Sequence, residues 1–171
     1  GGPLTTIAGP FASATNASIN DNGEVAFGKA QIGNSGDGSK GILIGNGSFL
    51  DTIADDTGAF MAFSAPSLNN NSEVAIMAIL DTEGAGIFSG PDALNDSIVS
   101  TGDALDGMTI VGLHMGINGF NDARQVVFTA RLSDGTEGIY LASPVPLPAA
   151  FWLFGSGLLC MVGIVRRKKA A

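Results

Sequence analysis

Apolar and polar residues alternate over short stretches along most of the chain. Clusters of Gly, Asn, Asp and Ser separate these stretches. Glu24-Val25-Ala26-Phe27 and Gln125-Val126-Val127-Phe128 are of this kind. Alternation with β-branched and aromatic residues favours strand. Asn20-Asp21-Asn22-Gly23 ahead of the first is a tight-turn signal, because Asn and Gly tolerate positive φ and Asn side chains bond nearby backbone. Gly41-Ile42-Leu43, Gly86-Ile87-Phe88 and Gly138-Ile139-Tyr140 predict a second short strand. Ser48–Ala54 and Ser97–Thr101 predict a third, and Phe60–Leu68 and Thr109–Phe120 a fourth. Thr5–Ala8 predicts an opening strand. No helical stripe longer than two turns survives the Gly and Asn punctuation before Pro148. The expected fold class is all-β.

The pattern repeats. Ile19-Asn20-Asp21-Asn22-Gly23-Glu24-Val25, Leu68-Asn69-Asn70-Asn71-Ser72-Glu73-Val74 and Phe120-Asn121-Asp122-Ala123-Arg124-Gln125-Val126 align at offsets of 49 and 52 residues. The Gly-Ile markers follow at matching distances, apart from a longer Gly33–Gly38 loop in the first copy. Ile53-Ala54-Asp55-Asp56 and Val99-Ser100-Thr101-Gly102-Asp103 form a third marker, and Thr6-Ile7-Ala8-Gly9 resembles a truncated copy of it. Units of about 9–56, 57–106 and 107–142 are expected inside a β-repeat region 1–143. Val25, Val74 and Val126 should be buried at equivalent places, as should Ile42, Ile87 and Ile139. Four short antiparallel strands per fifty residues is the spacing of a propeller blade, with an open β array or a two-sheet sandwich as alternatives.

Charge narrows the partners. Residues 1–144 hold all 16 acidic groups against four basic ones (Lys29, Lys40, Arg124, Arg131), a net of −12. Such a body repels nucleic acid and anionic headgroups, so no nucleic-acid partner is expected.

Candidate chemistry is sparse. One His, His114, and one Cys, Cys160, cannot build a Cys/His zinc site or a disulfide framework. No nucleophile elbow, P-loop or dinucleotide fingerprint opens a helix. Ser18, Asn20, Asn22 and Gly23 stand at calcium-loop spacing, but Lys29 occupies the place of the bidentate acid. Asp51, Asp55 and Asp56 could gather round an ion, yet solvated turns account for them more simply. Asp55/Asp56 and Asp103/Asp106 are the carboxylate pairs available for glycoside hydrolysis. His114 lies inside an expected strand, as a packed or edge residue rather than a general base. We expect no enzyme activity, no catalytic residues, no cofactor and no bound metal.

The pattern Asn-x-x-Gly-x-Val-Ala-Phe, with Gly-Ile-Phe between copies, resembles the bacterial tandem-repeat family described by its NxxGxxxAF motif. Asn20, Gly23, Ala26 and Phe27 carry the resemblance; Ser72, Ile76, Arg124 and Val127 depart from it. It covers roughly residues 4–142 and implies surface-exposed β repeats with no known chemistry.

The far end of the chain has a different character. Ala149–Val165 is an uncharged run of 17 residues. As a helix it would span about 25 Å, close to the hydrocarbon thickness of a bilayer. Phe151, Trp152 and Phe154 cluster at its start, as in an aromatic belt. Arg166, Arg167, Lys168 and Lys169 close it as a stop-transfer cluster and place the tail in the cytoplasm, with the acidic body outside. Ahead of it, the alternating prolines of Pro144–Ala149 favour an extended strand. This tripartite end resembles the VPLPA variant of the PEP-CTERM sorting signals of Gram-negative bacteria, through Val145, Pro146, Leu147, Pro148 and Ala149. The resemblance covers residues 145–171. It implies recognition by an exosortase, a membrane-embedded Cys peptidase or transpeptidase, and export alongside exopolysaccharide.

Residues 144–171 are therefore expected to hold a proline motif, a transmembrane helix at 149–165 and a basic tail. The chain starts at Gly1 without a secretory leader, and is read as a piece of a longer precursor. Before processing it would sit in the inner membrane with its body extracytoplasmic. Afterwards it would be at the cell surface or outside the cell. The expected function is a non-enzymatic, exported surface protein associated with matrix or exopolysaccharide. The alternative is a fragment of an extracellular polysaccharide-active β-propeller enzyme.

Overall fold

The computed structural model describes residues 2–11, 13–30 and 40–144. They form only strands and connecting turns, with no helix. The strands are β1 (Ser13–Ile19), β2 (Val25–Ala30), β3 (Gly41–Gly45), β4 (Leu50–Asp55), β5 (Phe60–Phe63), β6 (Ser67–Leu68), β7 (Val74–Leu80), β8 (Ala85–Phe88), β9 (Ser97–Ser100), β10 (Ala104–Leu105), β11 (Met108–His114), β12 (Val126–Leu132) and β13 (Glu137–Ala142). They build three antiparallel sheets. The first runs β1-β2-β3-β4 and the third β10-β11-β12-β13. The second runs β5-β7-β8-β9, with β6 also on β7.

The registers of the three sheets coincide. Phe27 faces Leu43, Ile76 faces Phe88 and Phe128 faces Tyr140. One step on, Gly28 faces Ile42, Met77 faces Ile87 and Thr129 faces Ile139. The glycine of the Gly-Ile marker has a steric cause. A Cβ on Gly86 would lie 2.6 Å from Phe88 Cζ, and one on Gly138 would lie 2.8 Å from the Tyr140 ring. The aromatic residue two places on folds back over its own glycine. Bulges also recur, since the pairing skips Ile53 in β4 and Ile98 in β9. The extra residue of a bulge re-aims a side chain; here both isoleucines pack against the core.

The core lies between sheets rather than within one. Ala26, Ile42, Ile44 and Ala54 of the first sheet pack against Phe60, Leu68, Val74, Ile76, Ala78 and Phe88 of the second. Ala75, Ile87 and Val99 on the other face of the second sheet pack against Ile110, Val126, Phe128, Ala130 and Leu132 of the third. Alternation along β7 thus serves both neighbours, because successive strand residues point to opposite faces. Phe60 and Phe88 meet edge to face at 4.9 Å, a favoured aromatic geometry.

Several expectations need correction. Thr5–Ala8 forms no strand. Phe60–Leu68 is broken into β5 and β6, because Pro66 has no N–H to offer the ladder. Thr109–Phe120 ends as regular strand at His114 and returns to the sheet only at a single Phe120–Val126 bridge. Val74 and Val126 are buried, but Val25 is only half-buried. Ile42 and Ile87 are fully buried, whereas Ile139 is 79% exposed. Ile139 occupies the same register position, but no further sheet covers that face among the described residues. The expected helix at 149–165 lies outside the described residues. Among those that are described, no helix is long and apolar enough to cross a membrane.

Candidate functional site: the asparagine ladder and the start of the sorting segment

Each Asn turn is closed by one bonding scheme. Asn20 Oδ1 accepts the N–H groups of Asn22 and Glu24, both at 3.0 Å, and its Nδ2 donates to Glu24 Oε2 at 2.7 Å. Asn69 does the same with Asn71, Glu73 and the Glu73 carboxylate. Asn121 does it with Ala123, Gln125 and the Gln125 side chain. Around each, the strand ends pair identically: Ile19 with Val25, Leu68 with Val74, and Phe120 with Val126. The fourth turn position sits at φ 75 for Gly23, 63 for Ser72 and 59 for Arg124. Glycine adopts that region without cost, whereas Ser72 and Arg124 are held there against their preference.

The turns also bond to one another in columns. Asn20 Nδ2 donates to the Asn69 carbonyl at 3.1 Å, and Asn69 Nδ2 donates to the Asn121 carbonyl at 3.2 Å. The Asp21 N–H donates to Asn70 Oδ1, and the Asn70 N–H to Asp122 Oδ1. Asn22 Nδ2 donates to the Asn70 carbonyl, and Asn71 Nδ2 to that of Asp122. Two residues before Asn20 and Asn69, Ser18 Oγ accepts the Leu68 N–H at 3.1 Å and Ser67 Oγ accepts the Phe120 N–H at 3.0 Å. Ser18 Oγ also donates to the Ile117 carbonyl at 3.2 Å, linking the first sheet to the segment that follows β11 of the third.

Ser18, Asn20, Ser67 and Asn69 are the buried polar side chains among the described residues. Every buried side-chain polar atom there has a partner. Of the oxygens that suggested a calcium loop, Ser18 Oγ and Asn20 Oδ1 are thus engaged with backbone N–H groups. No cluster of three His, Cys, Asp or Glu suited to a metal occurs among the described residues.

The carboxylates of the ladder are held ionised. A hydrogen bond from Ser72, with a second from Asn20, holds Glu24 below the ordinary glutamate range. Glu73 is lowered chiefly by the hydrogen bond from Arg124, whose Nε donates to Glu73 Oε1 at 2.6 Å. Asp55 is turned to local work: its Oδ1 accepts both the N–H and the hydroxyl of Thr57. Asp103 Oδ2 accepts the Ser100 N–H. His114 stands exposed at the end of β11, opposite Thr129. The structure does not bring these groups together. Pairwise spacing pointed to carboxylate pairs, whereas the organised polar groups are the amides and serines of the turns.

The last strand of the body leads directly to the C-terminal segment. Gln125 Nε2, in the third turn, donates to Ser143 Oγ at 3.0 Å. Ser143 and Pro144 line a groove of about 530 Å³ with Glu73, Ser97, Ile98 and Arg124. The expected motif residues Val145, Pro146, Leu147, Pro148 and Ala149, and the basic cluster Arg166, Arg167, Lys168 and Lys169, follow from there and lie outside the described residues.

Residues 144–169 match the PEP-CTERM protein-sorting motif. The sorting motif thus begins one residue after Ser143, whose hydroxyl accepts the Gln125 amide of the last Asn turn. Such a motif implies processing by an exosortase-type enzyme, association of the precursor with a membrane, and delivery to the cell surface. The resemblance to the NxxGxxxAF repeat family is not confirmed, and Gly23 and Ala26 enclose two residues where the motif as written has three. No curated protein matches the chain. No solved structure matches it.

Proposed function

We propose that this chain is a non-enzymatic surface protein, exported by a Gram-negative bacterium and processed at its C-terminus, whose acidic β body associates with matrix or exopolysaccharide. The observation that carries the reading is the sorting-motif match at 144–169, directly after the last strand of an acidic body. In this reading residues 149–165 form a transmembrane helix, and Arg166–Lys169 hold the tail in the cytoplasm. Val145–Ala149 is the extended strand that the enzyme grips. The body is a tandem array of about 9–56, 57–106 and 107–142, curved in the manner of a propeller. The shared registers, the ladder and the bond between Ser18 and Ile117 support that curvature. A net charge of −12 on residues 1–144 suits hydrated polysaccharide better than anionic surfaces.

Replacing Pro146 and Pro148 with Ala tests the reading. Without the prolines, a helix at 149–165 can extend outward through Leu147 and remove the extended strand. The full-length form should then accumulate in the membrane fraction. Unchanged release of the body from cells carrying the enzyme would contradict it.

A further inference from the structure

The third sheet lacks something that the first two have. β3 and β8 are each covered on their outer edge, by β4 and β9. β13 pairs only with β12, and its other edge has no partner among the described residues. The face beside that edge is apolar and open. Ile139 is 79% exposed, Leu141 60% and Val127 41%, while their register equivalents Ile42, Ile44 and Ala26 are buried by the next sheet.

The opposite end of the chain holds the missing piece. Leu4-Thr5-Thr6-Ile7-Ala8 matches Leu50-Asp51-Thr52-Ile53-Ala54 of β4 at every place but the second. Yet this segment pairs with nothing as a strand, and Leu4 is fully exposed. Ile7 corresponds to the bulged Ile53, whose side chain enters the core between sheets. Behind the segment, Ile7, Phe11, Val25 and Phe27 line an apolar groove of about 320 Å³ on the first sheet.

We propose that two copies of this chain associate head to tail, with Leu4–Gly9 of each completing the third sheet of the other. Strand addition of this kind satisfies a free edge with main-chain hydrogen bonds. The β3–β4 pairing fixes the register: Ile42 faces Ala54, Leu43 faces Thr52 and Ile44 faces Asp51. By the same alignment Ile139 meets Ala8, Tyr140 meets Thr6 and Leu141 meets Thr5 of the partner copy. The partner's first sheet then covers Val127, Ile139 and Leu141, as the third sheet covers Ile87. On the propeller-like reading proposed above, six sheets from two copies lie inside the usual range of about 4–8 for a ring of sheets, whereas the three described sheets of one copy, closed on themselves, lie below it.

The ladder continues across the junction only in part. Asn121 keeps the amide that would donate to the partner's Asn20 carbonyl, but Gly119 and Ala123 stand where the Ser67 and Asn71 side chains bond forward. Strand pairing and apolar cover hold the junction.

A disulfide tests this on the full-length chain in detergent, with Cys160→Ala as background. Paired strand residues have Cα atoms about 4.5–5.5 Å apart, within disulfide range. Thr5→Cys with Leu141→Cys should oxidise to a species of two linked chains, while each single variant stays unlinked. Thr5 lies outside every strand and Leu141 is exposed, so neither change threatens folding. Ile139→Asp should weaken association at least tenfold by sedimentation, with the circular dichroism spectrum unchanged. Free thiols, a disulfide within one chain, or a ladder of longer polymers would each overturn the proposal.

Discussion

Asn20 donates from its side-chain Nδ2 to the main-chain carbonyl of Asn69, 49 residues further on, at 3.1 Å. The same amide donates to Glu24, and the same side chain's oxygen closes its own turn. One residue therefore sets a local conformation and the stacking of one sheet on the next. Asn69 repeats this toward Asn121. Asn121, at the third turn, keeps only the local half among the described residues.

That difference predicts unequal costs. In Asn69→Ala the partly buried N–H groups of Asn71 and Glu73 and the carbonyl of Asn121 lose the partner that the buried Asn69 side chain supplies. The expected loss is about 3 kcal/mol, since three partly buried bonds go at about 1 kcal/mol each. Asn121→Ala should cost about 1 kcal/mol, since water can replace its exposed bonds. Thermal or denaturant unfolding of both variants measures the order. Equal losses would show that the bonds between turns contribute nothing.

Ser67 offers a smaller test of the second column. It is fully buried, and its Oγ accepts the Phe120 N–H. Ser67→Ala should destabilise by about 1–3 kcal/mol, the cost of an orphaned buried donor. Amide exchange at Phe120 should accelerate at the same time. Normal protection at Phe120 would mean that another acceptor serves it.

Acid should loosen the turns. Glu24 and Glu73 have folded pKa values below their unfolded ones, by hydrogen bonds from Ser72 and from Arg124 respectively. Their contribution is therefore complete above the ordinary glutamate value of about 4.3 and fades as the pH falls through the lowered folded values. The melting temperature should fall below about pH 4, and Arg124→Ala should flatten that fall. A melting temperature that rises on acidification would contradict the sign.

Gly86→Ala should destabilise although alanine favours strand no less than glycine. The new methyl would sit 2.6 Å from Phe88 Cζ and 2.7 Å from Ser100 Oγ. Overpacking of this kind costs about 1–3 kcal/mol. Adding Phe88→Leu should recover part of the loss in the same unfolding measurement.

Much of the fold was legible in the sequence for a physical reason. The turn Asn, the alternating Val-x-[Phe/Ile] and the Gly-Ile-aromatic marker each encode a local conformation, and all three recur at nearly fixed offsets. What escaped depends on neighbours. Ile139 carries the same local signal as Ile42, but burial requires a sheet in front of it. Thr5–Ala8 carries a strand sequence without a strand to pair with. The ladder was missed because its acceptors are main-chain carbonyls about fifty residues away, which no spacing rule reveals. Its one sequence trace was the Asn, Ser and Asp at matching positions, which resembled solvated turns or ion ligands. The sorting segment was legible because its signal is compositional and contiguous.

The intact mass of the surface-exposed protein, from wild-type cells carrying the processing enzyme, tests the functional reading most directly. Processing predicts a mature chain that ends near Val145–Ala149 and lacks Arg166–Lys169. A mature chain that still ends at Ala171 would contradict it and make the segment a permanent anchor.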